Sequence, residues 1–229
     1  MQQFFVSEDI TLNKRIQLDK DTGYQLKKVL RVSDGCVFRL ADNKGDIWLC
    51  EYENGTALVK EKLDEDNELK TDVTAIVSLI KNDKMDFMIQ KLTELGVKRI
   101  VPYKAYRSVV KEGKGNNKLE RFQKISREAA EQCHRNYIPE ICDYASLKDL
   151  RKYMSDINLV AYEKEDTGKK NSDTAGSVTF IIGPEGGFEP SEIAEIIETG
   201  FCSISLGKRI LRAETASIYL MSLIAGAER

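Results

Sequence analysis

Two textures of hydrophobic and polar positions divide the chain. From residue 1 to about 70, short runs such as "FFV", "CVFRLA", "DIWLCEYE" and "TALVKEKL" predict strands, several alternating apolar with polar, and "SDG", "DNKG" and "ENG" punctuate them as turns. That pattern suits a small β-barrel. The polar stretch from Asp64 to Asp72 predicts a linker. From about residue 73 the apolar runs become continuous. "VTAIVSLI" reads as a strand covered on both faces. Met85, Met88, Ile89, Leu92 and Leu95 recur at helical spacing, with Asn82 or Asp83 as the cap and Gly96 as the stop. "RIVPY", "INLVAY", "VTFII" and "SISL" predict further strands. Leu119, Phe122, Ile125, Ala129 and Cys133 mark a second amphipathic helix, and a last helix covers about Ala213 to Ala225. Strands alternating with helices predict a parallel α/β sheet. The expected division is 1–70 and 71–229.

Two strand-to-helix corners carry the candidate chemistry. In "FIIGPEGGFEPSEI", residues 180–193, an apolar strand meets Gly183, Gly186 and Gly187, which can take positive φ and admit a ligand closely. Pro190 then suits the first helical position, and Gly200 the residue past the helix end. In "SLGKRILRAETAS", residues 205–217, a second strand meets a glycine, a loop and a helix, with Arg212 and Glu214 at the junction. Those two could form a surface ion pair and nothing more. Ligands of open α/β sheets bind at the carboxyl ends of strands, so two such corners point to a cradle. Neither GxGxxG nor GxxxxGK[ST] occurs, which disfavours dinucleotide folds and P-loops.

Charge adds a second feature. The net charge is −2, yet between Lys98 and Arg127 ten Lys/Arg stand against two Glu, a local excess of eight. Such a block is a footprint for a phosphate backbone or a solvated helix face. Five scattered cysteines without CxxC, and His134 as the single histidine, argue against zinc, a disulfide framework and a histidine-based triad. A reducing cytoplasm fits them. No apolar run reaches the roughly 20 residues of a membrane helix, and the start does not read as a signal peptide.

The ordered blocks "KNDKMDFMIQKLTELGVKRIVP", "YRSVVK", "KLERFQKISREAAEQCHR", "IIGPEGGFEPSEI" and "SLGKRILRAETAS" resemble the bacterial 16S ribosomal RNA uridine-N3 methyltransferases. These are the RsmE-type branch of the SPOUT, or α/β-knot, superfamily. The resemblance implies a trefoil-knotted parallel-sheet domain behind a small PUA-like barrel, a homodimer through the knot domain, and S-adenosylmethionine as cofactor with no metal. By position it implies cofactor contacts at Tyr162, Glu163, Gly183, Pro184, Glu185, Gly186, Leu206, Gly207, Ile210, Leu211 and Thr215. It implies Arg212, with Arg107 next, for orientation or charge stabilisation. Glu214 is the first candidate proton acceptor, with Glu128 or Glu131 behind it, although those two could simply salt-bridge. Lys98, Arg99, Lys104, Lys111, Arg121 and Arg127 would hold phosphates of 16S rRNA or the 30S subunit. Family members often carry an arginine near the start and a histidine before "VLR"; here the chain reads "MQQF" and "YQLKKVLR". The rival reading is a non-catalytic RNA-binding protein with a decayed knot domain, against which the intact "GPEGG" and "LGKRILRAET" count. A different α/β nucleotide enzyme is the third.

Overall fold

The computed structural model describes residues 1–108, 117–162 and 176–228. They form two compact units, Met1–Glu68 with Ala130–Tyr137, and Leu69–Ala129 with Ile138–Arg229.

The first unit is built on a five-stranded sheet. Its strands are β1 (Gln3–Phe5), β2 (Arg15–Gln17), β3 (Val37–Ala41), β4 (Ile47–Glu53) and β5 (Thr56–Leu63), in the order β1-β3-β4-β5-β2. Only β1 and β3 run parallel; the other pairs are antiparallel. The turn signals act as read. Asn54 and Gly55 both have positive φ (48° and 87°), as an Asn-Gly hairpin requires. Asp42 closes the "DNKG" turn by accepting from the Lys44 and Asp46 amides (2.9 and 3.0 Å) and the Trp48 indole (3.1 Å). Alternate residues of these strands enter one core with Ile16, Leu26, Phe38, Leu40, Trp48 and Val59. Helix α1 (Lys20–Tyr24), continued by a π-helical turn Gln25–Val29, interrupts the expected all-β run. Its local cause is Asp19, whose carboxylate accepts from the Thr22 amide (2.7 Å) and caps the first turn. His134 has φ +60° and contacts the Met1 carbonyl through Nε2 (2.9 Å) and Arg39 through Nδ1 (3.3 Å).

The second unit holds a six-stranded, wholly parallel sheet. Its elements are β6 (Asp72–Ser78), α2 (Asn82–Glu94), β7 (Arg99–Tyr103), α3 (Asn117–Gln132, whose last residues belong to the first unit), β8 (Glu140–Ile141), a 3-10 helix (Leu147–Tyr153), β9 (Ile157–Ala161), β10 (Ser177–Ile182), α4 (Pro190–Glu198), β11 (Cys202–Ile204) and α5 (Ala213–Gly226). The strand order is β11-β9-β10-β6-β7-β8. Burial on both faces explains the continuous apolar runs. On β6, Val73, Ala75 and Val77 enter one core with α2 and α5, and Ile76 enters the other. Phe180 and Ile181 of β10 divide the same way. Each such fully buried valine, isoleucine or phenylalanine is worth about 1.5–3 kcal/mol relative to exposure.

Two helix boundaries test the capping signals. Pro190 opens α4, and Gly200 (φ +110°) follows its C-cap Thr199. For α2 the N-cap is Lys81, with no side-chain cap, rather than Asn82 or Asp83; Gly96 (φ +95°) does end it. The short strand β8 and the 3-10 helix were not signalled. β8 has two residues, too few for a period, and the 3-10 helix starts on a capping box between Ser146 and Asp149.

Candidate active site

The carboxyl ends of β9, β10 and β11 frame a cavity of about 220 Å³. Three segments wall it. The first is Ala161 with Tyr162, which follows β9 and is fixed by its amide donating to the Ile204 carbonyl (3.0 Å). The second runs from Ile182 to Phe188 after β10. The third, from Leu206 to Arg212, leads into α5, whose Ala213 and Ala216 complete the lining.

The glycine turn after β10 is held from several sides. The Gly187 amide donates to the Pro184 carbonyl (2.9 Å), and Gly187 alone of its three glycines has positive φ (66°). Gly183 is small for another reason: a Cβ there would come within 3.0 Å of the buried Phe188 ring. At Gly186 a Cβ would meet Arg107 Cβ only at 3.5 Å, an ordinary contact. The expectation of positive φ thus holds at Gly187 and is corrected at Gly183 and Gly186. Glu185 faces Lys84 (3.4 Å). Arg107 donates through Nε to Glu189 (2.8 Å) and through a terminal nitrogen to the Gly186 carbonyl (3.4 Å). The pair holds Glu189 below the usual carboxylate range and raises Arg107.

The loop after β11 turns at Gly207 (φ +111°), whose amide donates to Ser205 Oγ (3.3 Å). Among the described residues nothing would meet a Cβ at Gly207, so the backbone conformation demands glycine there. Ile210 is 87% exposed, an apolar side chain that the chain's own core does not cover. Arg212 is the N-cap of α5, and no side chain caps that helix. Its first N–H groups therefore lack intrahelical partners at the cavity wall. No ion pair joins Arg212 to Glu214 among the described residues. Glu214 Oε2 is buried without a hydrogen-bond partner among the described residues. A mostly apolar slot, backbone polar groups at two turns and arginine at the rim fit a molecule with a flat heterocycle and a charged tail.

The sequence-predicted residues fall into groups. Tyr162, Gly183, Pro184, Glu185, Leu206, Gly207, Ile210, Leu211 and Arg212 share the cavity lining. Gly186, Thr215, Glu214 and Arg107 flank it without lining it. Glu163 and Lys111 lie outside the described residues. Sequence reasoning missed Phe188, Arg209, Ala213 and Ala216 among others. Ala213 and Ala216 did carry a signal, two small residues three apart on the first turn of an apolar helix.

The basic block separates. Lys98 and Arg99 stand at the amino end of β7, where Lys98 pairs with Asp72 and Arg99 Nε donates to Thr74 Oγ1 (3.0 Å). The cavity lies at the opposite ends of these parallel strands. Arg121 pairs with Asp86, and Lys104 lies over the Tyr144 ring (5.6 Å to its centroid). Arg127 also has a partner, as does Glu131. Glu128 faces Lys124 at 3.9 Å, one helical turn away, and does not line the cavity.

A carboxylate that the pattern did not single out ties the corner together. Glu192 of α4 is fully buried. Its Oε1 accepts from the Tyr103 hydroxyl (2.9 Å) and the Tyr106 amide (3.1 Å), while Oε2 has no partner among the described residues. Burial pushes its carboxyl above the ordinary range, against the lowering pull of those two donors. The folded state therefore holds the proton more tightly than the unfolded one. Its contribution to stability is complete below the ordinary glutamate range and is lost as pH rises through the folded value. Glu192→Gln keeps an accepting oxygen and cannot ionise. Its melting temperature should match the wild type near pH 4 and exceed it at pH 8. Parallel thermal denaturation across that range checks this, and a wild type that gains on the variant as pH rises would contradict it.

Comparison with known proteins agrees on one kinship. The model of a family described as RNA methyltransferase domain matches residues 67–225. A ribosomal RNA small subunit methyltransferase E of Bacillus subtilis (strain 168) is 31% identical, over 98% of this chain and 96% of its own. The protein of the same name from Mesomycoplasma hyopneumoniae (strain 232) is 35% identical over 78% and 85%. A crystal structure of ribosomal RNA small subunit methyltransferase E from Neisseria gonorrhoeae, bound to S-adenosyl methionine, superposes with a TM-score of 0.91 at 29% identity, covering 99% of this chain and 97% of that one.

Proposed function

The chain belongs to the RNA methyltransferase family, as a ribosomal RNA small subunit methyltransferase E, and from that premise we propose that it methylates N3 of one uridine in 16S rRNA. It is an S-adenosylmethionine-dependent methyltransferase acting on small-subunit ribosomal RNA. The observation that supports this reading most is the cavity at the carboxyl ends of β9, β10 and β11, which would hold the cofactor. Leu206, Ile210, Leu211 and Phe188 would cover the adenine, and backbone groups near Gly183 and Gly207 would take its polar edge. When bound, the cofactor supplies an electrophilic methyl group and its own leaving group.

The chain's residues must do the rest. Uridine N3 carries a proton and is a poor nucleophile until that proton leaves. Negative charge then spreads over N3, O2 and O4. Arg212, exposed at the cavity rim, would meet that charge with paired guanidinium donors. Glu214, at the start of α5 beside the cavity, would accept the N3 proton. Arg107 would act at one remove, by bracing the Gly186 carbonyl.

The finer architecture belongs to the same reading. β11 returns to pair with β9 on the side away from β10, which supports a chain threaded as a trefoil knot. The five-stranded sheet of the first unit would be the PUA-like barrel that delivers RNA. Tyr219 and Leu223, half exposed on α5, would meet a second copy in a homodimer. The enzyme would work in the cytoplasm.

The test is mass mapping of 16S rRNA from a strain lacking the gene, before and after incubation with purified protein and S-adenosylmethionine. One added methyl, on N3 of a single uridine, is expected. A methyl on ribose or on another base would overturn the N3 assignment.

A further inference from the structure

The first unit distributes its positive charge unevenly. Of its eleven lysines and arginines, seven pair with carboxylates: Lys14, Arg15, Arg39, Lys44, Lys60, Lys62 and Arg135. The four without a carboxylate among the described residues are Lys20, Lys27, Lys28 and Arg31, and all lie within twelve consecutive positions. Asp21 is the only acid there, so the segment carries a net +3 (four positive, one negative). All four cations are exposed. Tyr24, 62% exposed, stands among them, while Thr22 and Leu26 turn inward and anchor the segment. The larger basic block between Lys98 and Arg127 looks stronger in the sequence, yet Lys98, Arg107 and Arg121 are committed to Asp72, Glu189 and Asp86.

We propose that α1 and the π-helical turn behind it form an RNA-gripping surface, in which Lys20, Lys27, Lys28 and Arg31 hold phosphates and Tyr24 stacks on an unpaired base. The inference rests on the reading above that ribosomal RNA is the substrate, and it names the face of the first unit that takes it. A solvated surface needs no such segregation, since the same unit neutralises every other cation it carries. A cation with no carboxylate beside it gives up no ion pair when it binds a phosphate. An exposed tyrosine among such cations is the combination that single-stranded nucleic acid uses, because charge follows the backbone and the ring takes a base of any sequence.

The experiment measures affinity for transcribed full-length 16S rRNA against salt concentration, for wild type, Lys27→Ala/Lys28→Ala and Tyr24→Ala. Each lost phosphate contact should flatten the salt dependence by about 0.7–0.9. The double lysine variant should bind about 10- to 50-fold more weakly near 0.1 M salt, with a slope smaller by about 1.4–1.8. Tyr24→Ala should weaken binding roughly tenfold without altering the slope. S-adenosylmethionine affinity and melting temperature should be unchanged in both, and methylation should show a raised KM with kcat retained. Wild-type affinity and slope in both variants would overturn the surface and leave the enzyme assignment standing. A folded wild type that neither binds nor methylates the RNA would overturn both. A double variant whose only loss is binding to phosphatidylserine vesicles would overturn the surface alone.

Discussion

Arg212→Ala is expected to lower kcat for methylation of 16S rRNA by about 10²- to 10³-fold, the usual loss when one donor to a developing negative charge is removed. The side chain lines the cavity, is exposed, and caps nothing. Stability should therefore change little, with a melting temperature within about 2 °C of wild type. Cofactor affinity should fall far less than turnover, because the apolar lining and the turn at Gly207 stay in place. Arg212→Lys should recover only part of the rate, since an ammonium keeps the charge but not the paired planar donors. Single-turnover methylation with saturating cofactor and RNA makes the measurement. A variant as fast as wild type would remove Arg212 from the reaction.

The second large effect is expected at Gly207. Its φ of +111° is closed to a β-branched residue, which would cost about 1–3 kcal/mol to hold there. Residues 207 to 210 are exposed, so the loop can relax at little cost to the fold. The strain should then appear as lost binding. Gly207→Val is expected to weaken S-adenosylmethionine binding about 10- to 100-fold by calorimetry. Gly55→Val is the control: Gly55 also has positive φ (87°), in the β4–β5 turn of the other unit. It should lower the melting temperature and leave cofactor affinity alone. Equal affinity in Gly207→Val and wild type would mean that this loop does not hold the cofactor.

The two corners were legible because their signals are local. An apolar run ending in "GPEGG", a proline at the first position of α4 and a glycine past its end are set by backbone sterics within a few residues. The cavity lining followed wherever position along those corners was enough, as at Leu206, Gly207 and Leu211. What escaped depends on distance in sequence. That Gly183 is small for the sake of Phe188 is a packing fact. That Glu192 accepts from Tyr103 and Tyr106 joins residues more than eighty positions apart. The basic block misled for a related reason. Its charge was counted along the chain, whereas Asp72 and Asp86, which neutralise Lys98 and Arg121, lie outside the counted stretch. Helix α1 was lost inside a strand-rich region because its stabilisers are one capping aspartate and two inward residues, too few to set a period.

The most direct measurement is a crystal of this protein soaked with S-adenosylmethionine. The account predicts the donor folded between the Ile182–Phe188 turn and the Leu206–Arg212 loop, its sulfonium methyl open toward the Arg212 guanidinium. Density for the donor anywhere else on the chain, or a methyl turned away from Arg212, would contradict it.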